Sequence, residues 1–381
     1  MLLKYNFFKL LIIMNSLFSI FVFFSAQIFI FSKNVQTESG LLKPLIEIGS
    51  NGRGNDSASL AWKKIANLPP SSIPNLLYAM NQANELGDNW IRAAISKITE
   101  RSNVSLPIDK IISFLNDQEH DGDSRQHAFY IIQAYQPERA NELIPTFIND
   151  PVLSLRRVAV AEKIRYAKEE TNKQKRIELL NAVLKKARDA DQIKEIAESM
   201  NIDGIQTDLV ELMGFFVNWQ TIGPFDNSER KGFEKKYPPE DKINYNEKYE
   251  GKNGQVSWSS FETSHELGLL DINLQFGELK EVVAYAHTQI ESELNQDVQF
   301  RIGSKNAWKL WVNDKLIFAR DEYHRGKTRV DQFVINGKLK KGSNDVLLKI
   351  CQNEQTQSWT KQWEFNFRIT DPTGTPLHSS K

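Results

Sequence analysis

The chain has 381 residues, 40% hydrophobic and 25% charged, with 48 Lys+Arg against 48 Asp+Glu. That length points to two domains plus extras, and the charge balance leaves no net basic field to favour nucleic acid. A single cysteine, Cys351, excludes an intramolecular disulfide, haem attachment through paired cysteines and any multi-cysteine zinc or iron–sulfur site.

Leu10 to Phe31 is a run of 22 residues without charge. At the helical rise this spans roughly 33 Å, enough to cross a bilayer. Lys4 and Lys9 precede it, which favours a cytoplasmic N-terminus and an exported remainder, in the periplasm or at the cell surface. Residues 1–31 are therefore expected to form a signal/anchor helix. The apolar run is long for a cleaved signal peptide, and Ser25-Ala26 is the one tolerable cut site; cleavage there would make the protein secreted. No lipobox cysteine is present. Residues 32–55, rich in Gly, Ser, Asn and Lys, read as a linker with a short apolar patch at Leu41–Ile48. Gly49, Gly52 and Gly54 sit in it and make no nucleotide fingerprint.

Residues 56–216 predict a helical domain. Ser72 is placed to cap a helix carrying Ile73, Leu76, Leu77 and Met80, and Asp88 one carrying Trp90, Ile91, Ala94, Ile95 and Ile98, at helical spacing. Pro107 and Pro137 stand where first turns of helices would lie. GDNWIRAAISKI, GDSRQHAFYIIQAY and DPVLSLRRVAVAEKI each set an acidic or turn residue before an arginine and an apolar helix. Arg92, Arg125 and Arg156 are 33 and 31 residues apart, a period that indicates stacked helical hairpins. The third unit, with Asp150-Pro151, Arg156-Arg157 and Ala159-Val160-Ala161, resembles a HEAT repeat, and such stacks offer a concave binding surface. Lys173, Lys175, Arg176, Lys185, Lys186 and Arg188 form a basic face that interspersed acids mark as solvated.

At Trp219 the periodicity changes, and residues 217–381 predict an antiparallel β-sandwich. Val298, Phe300 and Ile302, then Trp308, Leu310 and Val312, fall on alternate positions, as do Val346, Leu348 and Ile350, and Trp363, Phe365, Phe367 and Ile369. Alternation buries one face of a strand and wets the other. Asn313-Asp314 falls where a two-residue hairpin turn would sit. Residues 228–254 are charged, contain Pro238-Pro239 and read as a long ordered loop. Cys351, on a predicted strand, reads as a packed thiol.

TIGPFDN at 221–227, YPPE at 237–240, KLWVNDK at 309–315, LKKGSNDVLLKICQNEQ at 339–355 and WEFNFRITD at 363–371 carry a resemblance to a family. From Trp62 onward the chain resembles exported proteins of planctomycete-type bacteria, with a HEAT-like helical half followed by a jelly-roll sandwich of the galactose-binding-like superfamily. The resemblance implies that fold and no particular activity. The family's hairpin reads Asn-Gly where this chain has Asn313-Asp314, and Asp accepts positive φ less easily than Gly, which predicts a looser turn or one of another type.

Chemistry is sparsely signalled. His120, His127, His265, His287, His324 and His378 show no HExxH spacing, no GxSxG elbow occurs, and no carboxylate pair stands out. No metal and no cofactor are expected. Two loops have the composition of a sugar site, which joins an aromatic platform to amide and carboxylate hydrogen bonds. They are Asp321–Gly326 with Tyr323 and His324, and Gln352, Asn353 and Gln355 with Trp359. Amide-rich loops are also ordinary, and Trp359 in that reading covers a sheet edge. The leading expectation is a membrane-anchored, exported, non-catalytic protein whose sandwich binds a glycan or an envelope protein. The alternatives are an envelope polysaccharide hydrolase and a purely structural scaffold.

Overall fold

The computed structural model describes residues 40–101 and 105–378. The expected signal/anchor segment, 1–31, lies outside the described residues, among which no helix is long and apolar enough to cross a membrane. Helices occupy the N-terminal part and antiparallel sheets the C-terminal part. The chain divides into two compact units, Met1–Leu143 and Ile144–Lys381.

The first unit contains α1 (40–46), α2 (Asn55–Ile65), α3 (Ile73–Met80), α4 (Glu85–Thr99), α5 (Ile108–Asn116), α6 (Gly122–Tyr135) and α7 (Pro137–Leu143). Over 40–55 the expected linker is instead part of the core. Leu42, Leu45 and Ile48 are buried, and Asn84 Nδ2 donates to Ile48 O at 2.6 Å. Gly87 admits this close approach, since a Cβ there would collide with Leu45 O. The Gly and Ser residues around this patch hid three apolar side chains that are enough to dock a short helix. Asn84, not Asp88, caps α4: its Oδ1 accepts from Leu86 N and Gly87 N, both at 3.0 Å. Ile91, Ala94, Ile95 and Ile98 then face inward as their spacing predicts. Helical repeats are present, and two of the three repeat arginines do the same work. Arg125 Nε donates to Leu115 O at 2.8 Å and Arg156 Nε to Asp150 O at 2.8 Å. Each guanidinium reaches back to carbonyls left open where the preceding helical segment ends.

The second unit begins with α8 (Leu153–Glu169), α9 (Lys173–Leu184), α10 (Ala190–Ile202) and α11 (Leu209–Met213). A six-stranded sheet follows in the order β4-β1-β6-β11-β8-β9, from β1 (Asn218–Asp226), β4 (Ser259–Glu262), β6 (Val282–Ser292), β8 (Ala307–Val312), β9 (Lys315–Arg320) and β11 (Gly342–Gln352). The second sheet runs β10-β7-β12-β13, from β7 (Gln296–Gly303), β10 (Phe333–Leu339), β12 (Glu364–Thr370) and β13 (Pro376–Leu377), with β5 (Leu270–Asp271) also on β12. The alternating residues of both sheets meet in one core that includes Trp308, Leu310, Phe300, Ile302, Leu348, Trp363 and Phe367.

Two features depart from the sequence expectations. The turn at Asn313-Asp314 is not loose. Both residues have positive φ, 49° and 63°, and Val312 pairs with Lys315, the geometry of a tight two-residue hairpin. Asn313 Oδ1 accepts from Asp345 N at 3.1 Å and its Nδ2 donates to Asn344 Oδ1 at 2.9 Å, which holds the strained conformation in place. Second, helices give way to strands near 216, yet the compact unit begins at Ile144. The helices join the sheet through an apolar cluster that includes Val160, Ile164, Ile193, Met213 and Phe215, and through an ionic node. Arg368 on β12 donates to Met213 O at 3.2 Å and Arg188 O at 3.4 Å, so the sheet bonds the ends of the helices directly. Asp331 accepts from Arg368 Nε at 2.7 Å and from Arg301 Nη1 at 2.8 Å, and both arginines are buried.

The charged segment 228–254 lies over the outer face of the six-stranded sheet. Phe233 and Tyr237, with Trp258 just beyond the segment, pack on Phe225, Tyr285, Trp311, Leu347 and Cys351. It includes the short hairpin of β2 (Lys248–Gly251) and β3 (Gly254–Ser257).

Candidate functional site

The register of the strands brings five connections to one end of the sandwich. Asp226 pairs with Val282, Gln352 with Val282, Ala307 with Cys351, and Gly303 with Asn366. The residues just beyond these pairs, 227–230, 277–281, 304–306, 321–332 and 353–363, therefore share a rim. Both loops singled out in the sequence belong to it.

The predicted residues come together, in two roles. His324 and Asn353 are buried and bond each other, Nε2 to Oδ1 at 2.9 Å. Asn353 Nδ2 donates to Gln355 Oε1 at 3.1 Å, and Gln355 N to Asn353 Oδ1 at 3.2 Å. Gln352 is fully buried and donates to Thr360 O at 3.1 Å. These side chains set the shape of the rim from inside. Tyr323 is half-buried; its hydroxyl accepts from Asn227 Nδ2 at 3.2 Å, and burial pushes its own ionisation upward. Trp359 stands out, 54% exposed, on a short 3-10 turn over Ser358–Thr360. The His324 ring meets its edge at a centroid distance of 6.2 Å.

Sequence reasoning missed the cations that support this turn. Lys305 Nζ donates to Trp359 O at 2.6 Å and to Gln362 Oε1 at 2.7 Å. Lys280 Nζ donates to Thr360 O at 2.8 Å. Burial lowers the pKa of both lysines and of His324. Arg230 was missed as well. It pairs with both oxygens of Glu354, holding that carboxyl down to about 2, and lies 5.3 Å over the Tyr323 ring. Single lysines in polar loops carry no signal of such partners; only the TIGPFDN run drew attention to Asn227.

Other polar clusters close on themselves. Lys349 is fully buried and donates to Phe233 O at 3.0 Å, Lys235 O at 2.8 Å and Glu240 Oε1 at 2.8 Å, pinning 228–254 to the sheet. His287 is buried between the Tyr245 hydroxyl at Nδ1 and Asp345 Oδ1 at 3.1 Å from Nε2. Burial lowers its pKa, so its imidazole is neutral at pH 7. His120 stacks on Phe114 at 4.0 Å and bonds Asn81 at 3.0 Å. Burial and the nearby Arg92 hold His127 down to about 4. Among the described residues, no group of three or more His, Cys, Asp or Glu is placed to hold a metal ion. In the first unit Glu85, Asp88, Arg92, Asp121 and Asp123 line a cleft. Asp88 bonds Arg92 Nε at 2.6 Å, and burial still raises its carboxyl above the usual range. Asp121 Oδ1 caps α6, accepting from Asp123 N at 2.9 Å and Ser124 N at 3.2 Å.

No family model and no curated protein matches this chain. Among solved structures, a β-glucosidase from Kluyveromyces marxianus in complex with glucose is 18% identical over 24% of this chain and 10% of its own, with a TM-score of 0.18. An anti-sigma factor domain-containing protein is 14% identical over 43% of this chain and 46% of its own, with a TM-score of 0.26. The chain thus spans about a tenth of the glucosidase and under half of the second protein.

Proposed function

We propose that the chain is an exported, membrane-anchored, non-catalytic protein whose sandwich binds glycan of the cell envelope. In this reading the apolar run at 10–31 is the anchor, the helices are a HEAT-like stack, and the sheets are a galactose-binding-like jelly roll of the planctomycete-type exported family. The repeated use of Arg125 and Arg156 as caps supports the stack. Two antiparallel sheets sharing one core support the sandwich. The observation that carries the glycan reading is Trp359. A large aromatic face is left in solvent while its backbone is clamped by Lys305, Lys280 and the buried amides below. A rigid, wet aromatic suits the C–H face of a sugar ring, because little ordering entropy remains to be lost on binding.

The test is a glycan array and a pull-down with isolated envelope polysaccharide. Trp359→Ala is expected to weaken binding at least tenfold, the scale of a hot-spot aromatic. Undiminished binding would remove Trp359 as the platform. The cleft of the first unit favours a second reading, hydrolysis of envelope polysaccharide. Burial, and to a smaller extent the charges of Asp123 and Asp121, raise the Asp88 carboxyl against the pull of Arg92, the direction a general acid needs. Polysaccharide turnover abolished by Asp88→Asn would establish it.

A further inference from the structure

Two lysines beneath Trp359 are ammonium groups without a carboxylate partner. Lys305 is 7% exposed, and its bonds go to a carbonyl and an amide oxygen. The side-chain bond of Lys280 goes to the next carbonyl, Thr360 O. Glu364 is the carboxylate whose charge acts on Lys305, without an ion-pair contact, and Glu278 and Glu354 act in the same way on Lys280. The contacts of the other carboxylates go elsewhere. Glu278 pairs with Lys361 at 3.0 Å, Glu354 with Arg230, and Glu322 with Arg320 at 2.8 Å. Asp321 is exposed on the same rim and, with Glu278, Glu354 and Glu364, opposes an anion there. An ammonium has three donors. Lys305 spends two of them and Lys280 one, so donors remain open beside the indole. Lys280 is half-buried and reaches solvent, and Arg325 and Lys327 are exposed on the neighbouring loop. Burial lowers the pKa of His324, which disfavours a third positive charge there.

Holding a buried and a half-buried ammonium side by side with no carboxylate in contact costs free energy that a bound anion would return. Lysines serving only as caps for the 358–360 turn would need no such concentration of charge. Resting on the glycan reading above, we infer that this rim selects an anionic saccharide, seating a uronate carboxylate or sulfate ester against Lys280 and Lys305 while a ring stacks on Trp359.

The experiment is calorimetric titration of the full chain in detergent, at 50 and 200 mM NaCl, with three probes. These are oligogalacturonate, a sulfated galactan oligosaccharide and a neutral galacto-oligosaccharide of equal length. At least one acidic probe is expected to bind tenfold or more tighter than the neutral one, with a preference that shrinks at the higher salt. Lys280→Gln should remove that preference, whereas Trp359→Ala should weaken acidic and neutral probes alike. Lys305→Met is the second variant, read only if its circular dichroism matches wild type. Equal affinity for acidic and neutral probes overturns the inference and leaves the glycan reading standing, as does a preference that survives Lys280→Gln. Binding to none of the probes overturns both.

Discussion

Asp331 joins three parts of the second unit, and its removal is the sharpest test of that unit's extent. Its carboxylate serves Arg368 and Arg301, whose side chains are 1% and 6% exposed, and its own side chain is 16% exposed. Arg368 continues to Met213 O and Arg188 O in the helices, and Arg301 to Thr370 Oγ1 at 3.0 Å. Asp331 has φ 55°, so Asn, which accepts that region, is the clean replacement. Asp331→Asn keeps the shape and one acceptor oxygen but leaves two buried guanidinium groups without a counter-charge. Breaking a buried ion pair from one side costs about 3–5 kcal/mol, and the retained acceptor argues for about 3. With a guanidinium slope of roughly 3–5 kcal/mol per molar, the unfolding midpoint should fall by about 0.6–1 M. Six of the eight tryptophans lie beyond Ile144, so intrinsic fluorescence follows this unit. Burial raises the Asp331 carboxyl, but the bond and charge of Arg368 and the charge of Arg301 outweigh it, and the net shift is downward. A depressed carboxyl contributes stability that is fully present above its unfolded value, about 3.9, and is lost as pH falls through the folded value. The wild-type advantage over Asp331→Asn should therefore be constant near neutrality and vanish in strong acid. A midpoint change under 0.1 M at pH 7, or a difference that grows on acidification, would refute the role assigned to this node.

Two further outcomes follow from buried groups on the outer face of the six-stranded sheet. Lys349→Met leaves Glu240 with the Tyr285 hydroxyl but no counter-charge and frees two carbonyls, so 228–254 should become the first site of tryptic cleavage, with a loss of about 3 kcal/mol; an unchanged digestion pattern would count against its role as a pin. Cys351 is fully buried and its thiol is pushed up to about 12, so a disulfide reagent at pH 8 should modify it only on unfolding; stoichiometric reaction of the native protein would contradict its packing.

What the sequence made legible is what periodicity encodes. Val298, Phe300 and Ile302 alternate because one face of β7 packs on the other sheet, and all three are buried. Trp308 is core, as its shared face with Leu310 and Val312 required. Docking of 40–48 and attachment of α8–α11 to the sheet escaped notice because neither depends on a local pattern. The first needs Asn84 and the gap at Gly87, and the second needs Arg368 to find Met213, 155 residues away. The two polar loops were visible by composition, but composition does not say which polar side chains turn inward. His324, Asn353 and Gln352 do so because the acceptors and donors that satisfy them come from within the same rim.

Three buried lysines of this chain show how that ambiguity is resolved. Lys349 spends three donors on Glu240 and two carbonyls, so its charge is neutralised and its capacity exhausted; nothing remains for a ligand. Lys309 on the same face has a carboxylate at 3.0 Å in Glu234 and an aromatic ring, Phe233, 4.3 Å away. Lys305 is also buried, yet its hydrogen bonds go to neutral oxygens and Glu364 acts on it without contact, and Lys280 beside it holds one neutral oxygen. A lysine kept out of water is stable in a purely structural role when its charge is met, as at Lys349. Where no carboxylate is in contact and an exposed indole lies alongside, the donors left open are what the proposed recognition of an anion rests on. By that argument the loop residues first picked out for their hydrogen-bonding capacity are mostly the frame, and the lysines beneath them are the part of the rim with bonds still to make.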